Sequence, residues 1–224
     1  MISLLIRARL CTLGMNMTTR ILGNPDSKTV LVQMVDDHDL EVIESEYRHI
    51  RSLAPEKDFS LLTLKVNVWN KDLSPWAAPP VFGNVPFGDG APATLSALLK
   101  EVPSDKELYI GGYSLSGLFA LWVAYNCPVF KGVAAASPSV WFPGFVEYVK
   151  KTTPQTGSIY ISLGDKEEKT RNPVMATVGN AIRQLHDIFT EKEIPCILEW
   201  NEGNHFRQPD VRMARGFAWL LNQP

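Results

Sequence analysis

Residues 107–122 read ELYIGGYSLSGLFALW. The apolar run Leu108-Tyr109-Ile110 leads into Gly111-Gly112-Tyr113-Ser114-Leu115-Ser116-Gly117, and a strongly apolar stretch of helical character follows from Leu118 to Tyr125. A short strand, a tight glycine turn and a helix with a serine at the apex form a nucleophile elbow. The serine at such a junction takes a strained backbone conformation, so the residues two before and two after it must be small. Gly112 and Ser116 meet that requirement around Ser114. Glycine is usual at the second position; Ser116 keeps the small size, and Gly117 follows it. With Ser116 as nucleophile, Leu118 would stand two residues on and crowd the turn. Ser114 is therefore the candidate.

Outward from the elbow, short β-rich runs alternate with longer helical ones. Strands are expected at residues 29–35, 59–68, 107–111, 132–136, 158–163 and 196–200, and helices at 40–53, 93–101, 116–125, 143–151, 172–193 and 209–221. Repeated strand–helix alternation predicts an α/β fold with a mostly parallel sheet covered on both faces. Ligands in such folds bind beyond the carboxyl ends of the strands. The chain shows no internal repeat and no Ser/Gly-rich linker, so one domain is expected over residues 18–224. Residues 1–17 read as an N-terminal arm: the apolar run from Ile2 to Ile6 is cut short by Arg7 and Arg9, and no cleavage site follows.

A serine hydroxyl needs a base to take its proton and a third group to orient that base. On this kind of fold the chain order is serine, acid, histidine, each on a loop after a strand. Of four histidines, His38 and His49 precede Ser114 and His186 lies mid-helix. His205 lies in Asn201-Glu202-Gly203-Asn204-His205-Phe206, directly after the last strand, where the base belongs. The acid should follow the strand at 158–163, in Gly164-Asp165-Lys166-Glu167-Glu168. Spacing alone does not choose among its carboxylates; Glu167 is preferred for its depth in the loop and its reach, with Asp165 second.

An oxyanion hole requires two backbone N–H groups aimed at the developing charge. Leu115 supplies one, and the loop Asp36-Asp37-His38-Asp39 after the first main strand supplies the other, through Asp36 or Asp37. Asp39 reads as the N-cap of the helix at Leu40. A hard-metal site in the same acidic loop is disfavoured, because adjacent residues of one short loop rarely converge on an ion. The connection at 69–92, WNKDLSPWAAPPVFGNVPFGDGAP, is unusually long and rich in proline and aromatics. It reads as a wall of the substrate cleft, with Trp69, Trp76, Phe82 and Phe87, joined by Trp141, as candidates for substrate contact. Exposed aromatics there would also suit a homodimer contact.

The 224 residues carry a net charge of −2 and no long basic cluster, which gives nucleic-acid or membrane-surface binding little electrostatic support. No apolar run approaches the roughly 20 residues needed to cross a bilayer. Cys11, Cys127 and Cys196 are odd in number and lack metal-ligand spacing. They suggest free thiols in a reducing, cytoplasmic setting. No phosphate-binding glycine motif follows the first strand, against a nucleotide-binding reading.

Taken with Ala136-Ser137-Pro138-Ser139-Val140-Trp141, Gly164-Asp165-Lys166-Glu167, Gly203-Asn204-His205-Phe206 and Asp72-Leu73-Ser74-Pro75-Trp76, the elbow resembles the small bacterial α/β-hydrolases that include enterochelin-esterase-like and esterase D-like enzymes. The resemblance spans about residues 29–221. It implies an α/β-hydrolase fold without a lid domain, acting on a small-molecule ester without metal or organic cofactor. Its motifs map onto Ser114 and His205, and its acid, three residues after a glycine, matches Glu167. Two departures stand out: Ser116 in place of glycine, and the acidic 36–39 loop in place of the His-Gly loop of many relatives. The expected activity is carboxylic ester hydrolysis; a thioesterase, peptidase or acyltransferase would use the same groups, and a non-catalytic binding module is the contrasting class.

Overall fold

The computed structural model describes residues 17–223. The expected arm at 1–17, except for Met17, and Cys11 with it, lie outside the described residues. Within them, the chain runs β1 (Thr18–Gly23), β2 (Thr29–Val35), α1 (Asp37–Leu53), β3 (Ser60–Lys65), α2 (Trp69–Asp72), α3 (Ala91–Glu101) and β4 (Glu107–Tyr113). It continues through α4 (Leu115–Asn126), β5 (Phe130–Ala136), α5 (Phe145–Lys151), β6 (Ser158–Gly164), α6 (Val178–Glu191), β7 (Cys196–Asn201) and α7 (Pro209–Leu221). Two single 3₁₀ turns, Glu167–Lys169 and Met175–Thr177, lie between β6 and α6.

The strands form one sheet in the order β1-β3-β2-β4-β5-β6-β7, parallel throughout except for β1 against β3. Alternation along β2 explains the layering. Val30, Val32 and Met34 face a core shared with α3, α4, α5 and α6, while Leu31 and Val35 face one shared with α1 and α7. Helix α4 is buried from Leu115 to Tyr125, which is why its sequence is apolar on every side rather than striped. From β2 the chain first steps outward to β3, then crosses back to β4 on the other side of β2. That reversal makes the gap between the carboxyl ends of β2 and β4 the switch point of the sheet, where such folds bind ligands.

Three of the differences from expectation have a readable cause. β1 carries no apolar alternation and is almost wholly exposed at the sheet edge, so it left no periodic signal. Helix α1 begins at Asp37 rather than Leu40, because its cap is Asp36: Asp39 N–H donates to Asp36 Oδ1 (2.9 Å) and Asp36 N–H to Asp39 Oδ2 (3.1 Å). The helix expected from residue 172 starts at Val178. Asn172 Oδ1 instead accepts the N–H groups of Val174 and Met175, holding the preceding residues in a turn. Among the described residues no helix is long and apolar enough to cross a membrane.

Candidate active site

Ser114 caps the N-terminus of α4 with φ 57° and ψ −121°, a conformation that L-residues seldom adopt. Its neighbours show why the turn is possible. A Cβ on Gly112 would collide with Ser116 Oγ and with the Ser116 backbone, and one on Gly111 would come within 2.5 Å of Phe217 Cζ on α7. Ser116 does more than stay small: its hydroxyl donates to the Met34 carbonyl (2.8 Å), tying the elbow to the end of β2. Ser114 N–H donates to the Ala136 carbonyl (3.2 Å), and the Ser114 carbonyl accepts from Ser139 N–H (2.9 Å), which fixes the turn against β5.

His205 follows β7, and its Nε2 lies 3.1 Å from Ser114 Oγ. Its Nδ1 lies 2.7 Å from Glu167 Oε2. A carboxylate at that distance accepts a hydrogen bond from Nδ1–H, holding that tautomer and leaving Nε2 free to accept from the serine. Glu167 is nearly buried, and its Oε1 accepts three further bonds: from Ser137 Oγ (2.7 Å), Gly164 N–H (2.8 Å) and Arg212 Nη1 (2.8 Å). Burial alone would raise the Glu167 carboxyl. The hydrogen bond and charge of His205, with the Ser137 and Gly164 donors, prevail and hold it below the usual carboxylate range.

The other two carboxylates of the loop point elsewhere. Asp165 Oδ1 accepts Gly203 N–H (2.7 Å), bracing the histidine loop from outside. Glu168 pairs with Arg183 (2.9 Å). Among the oxyanion candidates, Leu115 N–H opens α4 and has no intrahelical acceptor. The Asp36 N–H is already given to Asp39, which removes it as a donor; Asp37, the first residue of α1, retains an N–H with no intrahelical acceptor. Burial, with the nearby Asp36 charge, pushes the Asp39 carboxyl up to about 6.

These groups open into a cleft of about 770 Å³. Phe82, Trp141, Met175 and Val178 give it apolar walls, and Lys166, Lys169 and Phe206 stand at its edge. Of the five aromatics expected to contact substrate, Phe82 and Trp141 line this cleft. Phe87 is packed behind them, 5.8 Å from Phe82 and 6.0 Å from Trp141 between ring centroids. Trp76 turns away: its indole N–H donates to the Pro143 carbonyl (2.9 Å) and its ring packs on Phe142 and Tyr148. Trp69 packs against the core at the start of α2. Their correction has one cause: the 69–92 segment folds onto α5 and the core, with an Ala78–Phe87 bridge pinning its middle.

Four residues that sequence reading did not single out as functional adjoin the site: Tyr113, Ser137, Ser139 and Arg212. Ser137 carries a positive φ of 45°, and Ser139 Oγ lies 3.4 Å from Ser114 Oγ. Tyr113 donates to the His205 carbonyl (2.6 Å), and burial pushes its phenol up to about 12, keeping it a neutral donor. Arg212 had one legible signal. It shares with Gly216 and Leu220 the i, i+4 line of α7 that faces the sheet, an unusual station for a charge. A second concavity of about 660 Å³ lies at the opposite end of the strands, by Thr29, Glu107, Phe130 and Ser158, far from this chemistry. Among the described residues no three His, Cys, Asp or Glu side chains are grouped to hold a metal ion.

Solved structures share the fold over most of this chain. An IroE-like serine hydrolase from Shewanella oneidensis matches with a TM-score of 0.68 at 14% identity, covering 92% of this chain and 80% of that one. The siderophore hydrolase EstA from Aspergillus nidulans matches with a TM-score of 0.64 at 16% identity, over 92% and 94% of the two chains. The enterobactin esterase FES from Shigella flexneri gives 0.60 at 17% identity, over 91% of this chain and 55% of its own. No family model matches the chain, and no curated protein matches it by sequence. Identities this low establish the fold, and the neighbours are of the enterochelin-esterase-like group that the sequence motifs resemble.

Proposed function

We propose that this chain is a serine hydrolase of carboxylic esters, with Ser114 as nucleophile, His205 as general base and Glu167 as the orienting acid. The observation that carries the reading is the continuous path Ser114 Oγ–His205 Nε2, His205 Nδ1–Glu167 Oε2, at 3.1 and 2.7 Å, opening into an apolar-walled cleft. Ser114 Oγ attacks the ester carbonyl carbon as its proton passes to His205 Nε2. The carbonyl oxygen becomes an oxyanion, met by Leu115 N–H and by Asp37 N–H. Collapse breaks the bond to the alcohol, which departs with the proton from His205 while the acyl group stays on Ser114. Water then repeats the sequence, giving the free acid and the original serine. Each preorganised donor is worth about 3 kcal/mol of barrier in sites of this kind.

The substrate class is a small-molecule ester with an apolar portion for Phe82, Trp141, Met175 and Val178. Lys166 and Lys169 have no salt-bridge partner among the described residues, which suits a substrate with negative charge near the mouth. One neighbour is named a siderophore hydrolase and another an enterobactin esterase, and esters of those kinds belong in the first substrate panel beside p-nitrophenyl acetate, butyrate and octanoate. Turnover lost in both Ser114→Ala and His205→Ala supports the reading. An ester panel without turnover, together with rapid cleavage of a thioester or amide, would reassign the substrate class.

A further inference from the structure

The proposed triad stands on three separate loops, after β4, β6 and β7, and one buried side chain bonds into the last two and to the residue that precedes the first. Arg212, in the first turn of α7, is 1% exposed. The two hydrogens of its Nη1 are shared among Glu167 Oε1 (2.8 Å), Ser137 Oγ (2.9 Å) and Tyr113 Oη (3.2 Å), Tyr113 being the residue before the nucleophile. Its Nη2 donates to the carbonyls of Glu202 (3.2 Å) and Asn204 (3.0 Å), in the loop that carries His205. Tyr113 passes the contact on by donating to the His205 carbonyl itself. We infer that Arg212 is a positioning residue: one guanidinium holds the serine, acid and histidine loops in a common register. The inference rests on the triad proposed above.

Two features separate this role from plain stabilisation. A buried ion pair costs desolvation that its attraction often fails to recover, so stability alone is a poor reason to keep an arginine here. The bonding pattern, by contrast, uses what only a guanidinium offers: a rigid plane with donors facing two directions. The donors also sort the Glu167 oxygens. Arg212, Ser137 and Gly164 N–H saturate Oε1, so Oε2 is the oxygen left for His205. Asp165 and the Glu202–Arg207 pair brace the same histidine loop from outside without touching Glu167.

The test compares wild type, Arg212→Lys, Arg212→Met and, as a control on the same helix, Arg215→Met, whose side chain bonds to Glu199 and Asn201 on β7 and to none of the triad residues. Circular dichroism gives the folded fraction, p-nitrophenyl butyrate gives kcat and KM, and proton NMR follows the far-downfield Nδ1–H of His205. For Arg212→Met, kcat per folded molecule should fall about 100-fold, as a misplacement near 1 Å does, while KM moves less than about twofold. The downfield proton should be lost or shifted. Arg212→Lys keeps charge and bulk but cannot span both loops, so it should show the same pattern at about a tenfold loss. A folded Arg212→Lys with wild-type kcat and an unmoved proton would overturn the inference, and it decides the matter if Arg212→Met does not fold. Should wild type hydrolyse no ester, the proposed function fails separately; the proton signal still decides Arg212.

Discussion

Glu167 offers His205 one oxygen and keeps the other for the protein. Oε2 stands 2.7 Å from His205 Nδ1, while Oε1 is held by donors from Ser137, Gly164 and Arg212. A carboxylate so pinned cannot rotate away from the imidazole, and it has little left to ask of solvent.

Replacing Glu167 with glutamine should therefore be far more damaging than the change is small. The amide presents a donor where an acceptor is required, favouring the wrong imidazole tautomer, and kcat should fall by about 10⁴. Asp165→Asn, which keeps an acceptor for Gly203 N–H, should stay within about tenfold of wild type. Steady-state kinetics on the two folded variants checks the pair; equal losses would reopen the choice of acid.

Glu46 on α1 predicts a pH effect on stability. It is buried beside Gln33, and burial first, then the charges of Asp39 and Asp210, push its carboxyl well above the usual carboxylate range. Below about pH 4.5 both folded and unfolded chains hold this proton. As pH rises through the window above that, the unfolded chain releases it and the folded chain does not, so stability falls, by up to about 1.4 kcal/mol per pH unit. Glu46→Gln removes that dependence. Its melting temperature should exceed wild type at pH 8 and converge with it near pH 4; parallel curves would refute the account.

Gly112 is the tightest point of the elbow. Gly112→Ala forces a methyl onto Ser116, whose backbone cannot yield without shifting α4. Overpacking of this kind costs about 1–3 kcal/mol, and thermal unfolding should register it. The same shift moves Ser114, so kcat should drop in the folded fraction as well. A variant with wild-type stability and rate would mean the turn is looser than its geometry.

Phe82 and Trp141 are 6.1 Å apart between ring centroids and line the cleft. Phe82→Ala should weaken octanoate esters through KM while leaving acetate esters nearly unchanged, since only the longer chain reaches the lost surface. The expected penalty is about 1–2 kcal/mol, from the apolar area withdrawn. Equal effects on both esters would place the acyl chain elsewhere.

Much of this was legible in the sequence, for identifiable reasons. Small residues around Ser114, and loops directly after strands for Glu167 and His205, are demands that local spacing expresses. Edge strand β1 had no buried face to write a pattern with. The 69–92 aromatics announced burial but not direction, so Trp76 and Phe87 were as consistent with a wall as with the packing they adopt. Asp36 was a backbone donor by position, and only its reciprocal bonds with Asp39 reveal that its N–H is taken. Arg212 showed its burial but not its partners, which come from segments around residues 113, 137, 167 and 204 that only the folded sheet brings together.

The central claim is that Ser114 is an activated nucleophile. A fluorophosphonate probe, followed by intact-mass and peptide mapping, tests it without knowledge of the natural substrate. The account predicts one equivalent of label on Ser114, abolished in Ser114→Ala and slowed by orders of magnitude in His205→Ala. Folded wild-type protein that takes no label, or takes it on another serine, would contradict it.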